Sequence, residues 1–265
     1  MLNNPGQSFG GGFRVDSGGH FVKGDEKLFP HTEPTLDLLL ERWQEMFKQP
    51  GLTSSEFESC LSAIIEKISS NLRVANLLIG ANFPVLLPQI SPSAGGYGGM
   101  ITESILPVLS QVASVFDTVL SNSLDGSGVE MTIVEPRHAK LVESLTQGPI
   151  LGIICFSFRG LTLSDQLSIC AELPEEMSLC GVLDMAVFEA IYADMLLLSG
   201  GHQHGLDCSA VSVNNPEDGR TLLPYFDFYR TPLSCNWGWL DLNCRGDYCE
   251  SRQDCFSGLF IRGDK

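Results

Sequence analysis

Apolar positions in the first third of the chain repeat with a helical period. Leu36, Leu39, Leu40, Trp43, Met46 and Phe47 fall on one face of a helix that starts at Thr35, and Gln49-Pro50-Gly51 stops it. The stretch "TSSE" opens a second helix, with Thr53 placed to cap it and Glu56 at the capping-box position. Phe57, Leu61, Ile64, Ile65, Ile68 and Leu72 form the stripe that this helix would bury. "NFPVLLPQISPSAGGYGG" (82–99) breaks the pattern, with room for a short strand at Val85–Leu87. The helical period returns through Ile101, Ile105, Leu109, Val112, Phe116 and Leu120, and Pro107 is tolerable if it lies in the first turn.

After the turn "NSLDGSG" the period changes to two. Val129, Met131 and Ile133 alternate as a half-buried strand does, Arg137 to Leu145 suits a short helix, and "PILGIICFSF" (149–158) reads as a central strand. "LTLSDQLSICAEL" fits either state. Val182, Met185, Ala186, Phe188, Glu189, Tyr192 and Leu196 predict a helix from about Gly181 to Leu198, closed by Gly200-Gly201. Beyond it the chain reads as loop-rich, with "LLPYFDFYR" (222–230) as the best strand. Helices first, then strands with intervening helices, give an α+β or mixed α/β fold: a helical N-terminal third followed by a small mixed sheet packed with helices. Residues 1–30, rich in Gly, Ser and Asn, read as a flexible leader. Residues 31–265 read as one globular α+β domain with a loop-rich, cysteine-containing part from about 200 to 265.

Composition narrows the function. At 265 residues and 43% apolar, the chain can bury a proper core. Thirty-two acidic residues against sixteen basic give a net charge of −16, which disfavours nucleic acid and anionic membranes; it would attract a protein partner with a basic surface, although excess acid is more often a solubility feature. No basic segment precedes an apolar one near Met1, so no secretory signal is expected. Asp184, Glu189 and Asp194, or Pro84 and Pro88, interrupt the longest apolar stretches, so no membrane span is expected either. With nine cysteines, an odd number, reduced thiols in a cytoplasm are the default.

Cys180 is the candidate nucleophile. It stands before Gly181 at the entrance to the predicted apolar helix, where unpaired N–H groups and the helix dipole lower a thiol's pKa. Gly181 would allow the close backbone approach that an oxyanion site needs. The competing reading makes Cys180 a small buried hydrophobe, the ordinary fate of a free cysteine. His202, His204 and Cys208 in "GGHQHGLDC" offer a metal-ligand set, against a solvated Gly-rich turn. Cys235, Cys244, Cys249 and Cys255 have eight, four and five intervening residues, without the CxxC pair of a zinc knuckle. No metal is assigned to either group. Two Arg-Gly-Asp triplets, Arg245–Asp247 and Arg262–Asp264, read as coincidence without an extracellular location.

The order of "LDGSGVEMTIVEP" ending near Glu135, "SLCG" at Cys180 and "LLPYFDFYR" from Leu222 resembles the YopJ-like family of bacterial effector acetyltransferases. Glu135 and Cys180 are 45 residues apart, similar to the family's spacing between its acidic residue and its cysteine. The resemblance spans about residues 120–235. It implies a papain-like cysteine-protease fold, Cys180 as nucleophile and Glu135 as the acid that orients a histidine. It also implies acetyl-CoA as donor, Ser, Thr or Lys of a host protein as acceptor, and delivery into a host cytosol. The family's histidine would fall near Ser114–Asp117, where this chain has none, and its basic inositol hexakisphosphate site is poorly matched by sixteen Lys and Arg. No cofactor is evident from the residues themselves. Two expectations follow: an acyltransferase-like effector or a degenerate relative that only binds, and alternatively a non-enzymatic acidic interaction or structural protein.

Overall fold

The computed structural model describes residues 13–15, 21–23, 34–49, 51–72, 74–75, 82–115, 120–122, 130–159, 163–193, 205–214, 221–227, 233–238 and 255–263. Within the segment read as a leader, β1 (Phe13–Val15) and β2 (Phe21–Lys23) pair antiparallel, and β1 lies against a later strand, Ile150–Arg159.

Two capped helices follow. In α1 (Leu36–Phe47) the Thr35 hydroxyl accepts from Leu38 N–H, and Leu39, Leu40 and Trp43 are buried. In α2 (Ser54–Ser70) the capping box forms as its sequence predicts: Glu56 N–H donates to the Thr53 hydroxyl while Thr53 N–H donates to the Glu56 carboxylate at 2.8 Å. Leu72 was expected in the α2 stripe, but the helix stops at Ser70 and that side chain is 92% exposed.

β3 (Asn82–Leu87) precedes α3 (Gly96–Met100), a π-helical turn (Ile101–Ile105) and α4 (Leu106–Val115). Pro107 accounts for the wide turn: its ring would strike the carbonyl four residues back in a regular helix, and it has no N–H to donate. Leu106 N–H instead reaches Ile101 O, one residue further than in an α-helix. Leu120, expected at the end of this helix, lies in β4 (Leu120–Asn122).

The remainder alternates: β5 (Glu130–Ile133), α5 (Pro136–Leu145), β6 (Ile150–Arg159), α6 (Leu163–Ala171), β7 (Met177–Leu179) and α7 (Val182–Ile191). β8 (Gly205–Asp207), β9 (Val211–Asn214), β10 (Thr221–Asp227), β11 (Leu233–Gly238) and β12 (Cys255–Arg262) follow. The region read as loop-rich therefore supplies five strands.

These build one mixed sheet in the order β3-β6-β12-β8-β10-β11-β4, with β7 also on β12 and β9 joining β10 to β5. β12 pairs antiparallel with β6 and β7 and parallel with β8, so the last described strand lies inside the sheet. The fold is α+β, as the order of periodicities predicted. Among the described residues, no helix is long and apolar enough to cross a membrane.

α7 is the centre of the packing. All ten of its residues are buried, and it touches β3, β10, α1, α4 and the π turn. Phe188 and Tyr192 meet Phe83 of β3 edge-on at centroid distances of 4.9 and 5.2 Å, and Phe156 of β6 completes the cluster. The Tyr192 hydroxyl donates to Pro84 O at 2.9 Å, so even this polar tip is satisfied inside the core.

Candidate functional site

Cys180 lies between β7 and α7, at the helix entrance that its sequence suggested. Its backbone is fixed on both sides: Cys180 N–H donates to Gly258 O at 2.9 Å, and Ala210 N–H donates to Cys180 O at 3.0 Å. A shift of register in β12 between Ser257 and Gly258 sets that glycine against the thiol. A Cβ at Gly258 would come within 3.0 Å of both Cys180 Sγ and Met185 Cε. The thiol is 0% exposed, covered by the strand and not open to solvent. Burial pushes its pKa far above the ordinary thiol range, and the negative charge of Asp184 pushes it further.

Glu135 is the N-cap of α5. One carboxylate oxygen accepts from Arg137 N–H at 3.1 Å and the other from His138 N–H at 2.6 Å, with Pro136 in the first turn. Both oxygens thus serve the helix that Glu135 opens. The backbones of Glu135 and Cys180 do meet through one residue, since Ala210 O accepts from Val134 and Glu135 N–H while Ala210 N–H holds Cys180 O. No hydrogen bond or ion pair links the two side chains.

Beside Cys180 stands a group that sequence reasoning did not assemble: Tyr97 of α3, His138 of α5 and Asp184 of α7, all buried. The Tyr97 hydroxyl lies 3.3 Å from His138 Nε2, and His138 Nδ1 faces an Asp184 oxygen at 3.4 Å. Tyr97 Oη also accepts Leu183 N–H at 3.1 Å. The same Asp184 oxygen accepts Gly181 N–H at 2.9 Å. Burial, and secondarily the charge of Asp184, hold the Tyr97 hydroxyl well above its usual pKa.

Gly181 does make a close approach, but to these side chains. A Cβ there would fall 2.6 Å from His138 Cε1 and 2.9 Å from the Tyr97 hydroxyl. Two of the N–H groups at the start of α7 that an oxyanion would use are occupied, Gly181 by Asp184 and Leu183 by Tyr97. His138 is visible in sequence only as the third residue after Glu135, and Asp184 only as the third after Gly181. Their meeting depends on two helix starts placed side by side, which no local pattern encodes.

Arg137 fastens this corner to the rest. Its guanidinium donates to the carbonyls of Cys170, Ala171, Pro174 and Met177, tying the C-terminus of α6 and the start of β7 to α5. Cys170, nearby, has its thiol pushed up to about 11 by burial and by the charge of Glu135.

Cys208 is buried, its thiol toward Leu206 O. His202, His204, Cys244 and Cys249 lie outside the described residues, as does the Arg245–Asp247 triplet, and Cys235 and Cys255 lie in β11 and β12. Among the described residues, no group of three or more His, Cys, Asp or Glu side chains could hold a metal ion. No protein-family model, no curated protein and no solved structure matches the chain.

Proposed function

We propose that the chain acts by binding a protein partner, with Cys180 and Glu135 serving its framework instead of covalent catalysis. One observation carries this reading: each group that a cysteine enzyme would need at the head of α7 is already committed inside the fold. The thiol is covered by Gly258 and held protonated, and Glu135 caps α5. His138 packs against Tyr97 and faces Asp184, and the N–H groups of Gly181 and Leu183 have partners. The partner surface is basic, in keeping with the net charge of −16. On α1 and α2 and at their caps, Asp37, Glu41, Glu45, Glu56, Glu58 and Glu66 are exposed.

The test is site-resolved alkylation at neutral pH, read by mass spectrometry. Cys180 should react at least about tenfold more slowly in the native chain than in denaturant, because the buried thiol carries little thiolate. Native labelling as fast as in the denatured chain sinks the reading.

The second reading is acyl transfer through Cys180, as in the YopJ-like family. What favours it is the location of Cys180 at a helix entrance with His138 against the adjoining Gly181. In that chemistry the acetyl group passes from acetyl-CoA to Sγ, the Cys180 proton leaves with the CoA thiol, and a Ser, Thr or Lys of the target then takes the acetyl group as its own proton restores the Cys180 thiol. Label transferred from acetyl-CoA by the full chain but not by Cys180→Ala would establish it in place of the binding reading.

A further inference from the structure

Glu189 lies in the last turns of α7 and is 1% exposed, and neither carboxyl oxygen has a hydrogen-bond partner. α3, α5, β6 and β12 touch α7 through Tyr97, His138, Phe156 and Gly258, and the five elements in most extensive contact with it carry apolar surface. Their buried residues include Phe83, Val85, Leu86 and Leu87 on β3, Leu106, Leu109 and Val112 on α4, Ile101 and Ile105 in the π turn, Leu39, Leu40 and Trp43 on α1, and Leu222, Leu223 and Phe226 on β10. The ionisable residues on those elements are few. β3 and α4 have none. The π turn has Glu103, exposed and bonded to the Ser93 hydroxyl, and β10 has Tyr225 and Asp227. α1 has Asp37, Glu41 and Glu45, all exposed, and Arg42, whose Nη1 donates to Ile191 O at 2.7 Å. On α7 itself Asp184 is held by Gly181 and His138, and just past its end the Tyr192 hydroxyl donates to Pro84 O. Arg42 is the sole Lys or Arg in these elements, and it clamps the end of α7 two residues beyond Glu189.

We propose that Glu189 is a proton-operated latch: as a neutral acid it lets α1 close over α7, and its ionisation loosens the α1–α7 contact. Within these elements, a carboxylate there would be satisfied by admitting water or by drawing Arg42 off Ile191 O, and either change disturbs the α1 seam. Burial shifts the group in the direction that the latch requires, well above the usual carboxylate range. The sign follows from linkage. The unfolded chain loses this proton near pH 4.3, whereas the folded chain keeps it, so the stabilising effect is full below that pH and is lost as pH rises toward the folded value.

The experiment is denaturant unfolding of the full chain between pH 5 and 9, beside Glu189→Gln, with hydrogen exchange of residues 36–47 corrected for intrinsic rates. The native chain's unfolding constant should rise by up to about tenfold per pH unit from this group. Glu189→Gln should remove most of that slope, and exchange in α1 should accelerate with pH in the native chain alone. An unchanged slope in Glu189→Gln overturns the proposal. Should that variant not fold, the native chain decides: a flat stability profile, or α1 protection that does not fall with pH, overturns it equally.

Discussion

Replacing Gly181 with alanine adds one methyl group at the tightest point beside Cys180. The backbone does not oppose it, since φ of −104° is open to any residue. The obstacle is space: the new Cβ would lie 2.6 Å from His138 Cε1 and 2.9 Å from the Tyr97 hydroxyl. Neither neighbour can yield cheaply. The His138 ring is held between Tyr97 and Asp184, and Tyr97 also accepts Leu183 N–H. Overpacking of a buried site costs about 1–3 kcal/mol, and displacing one of these hydrogen bonds adds about 1 kcal/mol. A loss of about 2–4 kcal/mol is therefore expected, read from denaturant midpoints at unchanged m-value. His138→Ala removes the obstructing ring, so Gly181→Ala/His138→Ala should be less destabilised than the sum of its singles by about 1 kcal/mol or more. If Gly181→Ala falls within about 0.5 kcal/mol of the native chain, or if the pair is additive, the close packing inferred here is wrong.

Three further outcomes follow from the same corner. Arg137→Met should lower stability by about 2–3 kcal/mol in denaturant melts, because four carbonyls lose a charged donor; Arg137→Lys should recover only part, lacking the planar fork. Cys180→Ser should be less stable than Cys180→Ala by about 1 kcal/mol or more in thermal melts, since it buries a hydroxyl where the thiol has no hydrogen bond; a reversed order would argue for an open, polar site. Thr53→Ala should cost about 1 kcal/mol by circular dichroism melts, through loss of the α2 cap.

The N-terminal helices were legible because their signals are local. Thr53 and Glu56 make a cap within four residues, and the apolar stripe of α1 needs only its own period. β12 was missed for the opposite reason. "CFSGLFIR" is a short apolar run that neither alternates nor is flanked by a clear turn, so only its partners β6, β7 and β8 mark it as a strand. The position of Cys180 at the head of α7 could be read from the helical period, but its cover could not: Gly258 is distant in sequence and arrives through a bulge. Glu135 looked like a candidate acid for the same reason that it makes a cap, a carboxylate directly ahead of Pro136 and a helix. His138 stood three residues away, but only tertiary packing directs its ring at Tyr97 and Asp184.

The position of β12 has a consequence for how the molecule comes into being. β6 is complete by Arg159, yet one whole edge of it waits for residues 255–262, about a hundred positions further along the chain. A ribosome that has reached Gly201 has delivered α7 and its aromatic anchors without the strand that roofs Cys180. During that interval "ILGIICFSF" is an apolar ribbon with unpaired amides, the kind of edge that seeks other chains. Closure of the sheet by so distant a strand makes folding slow and late, so yield during synthesis should depend on the last strand more than on any helix before it.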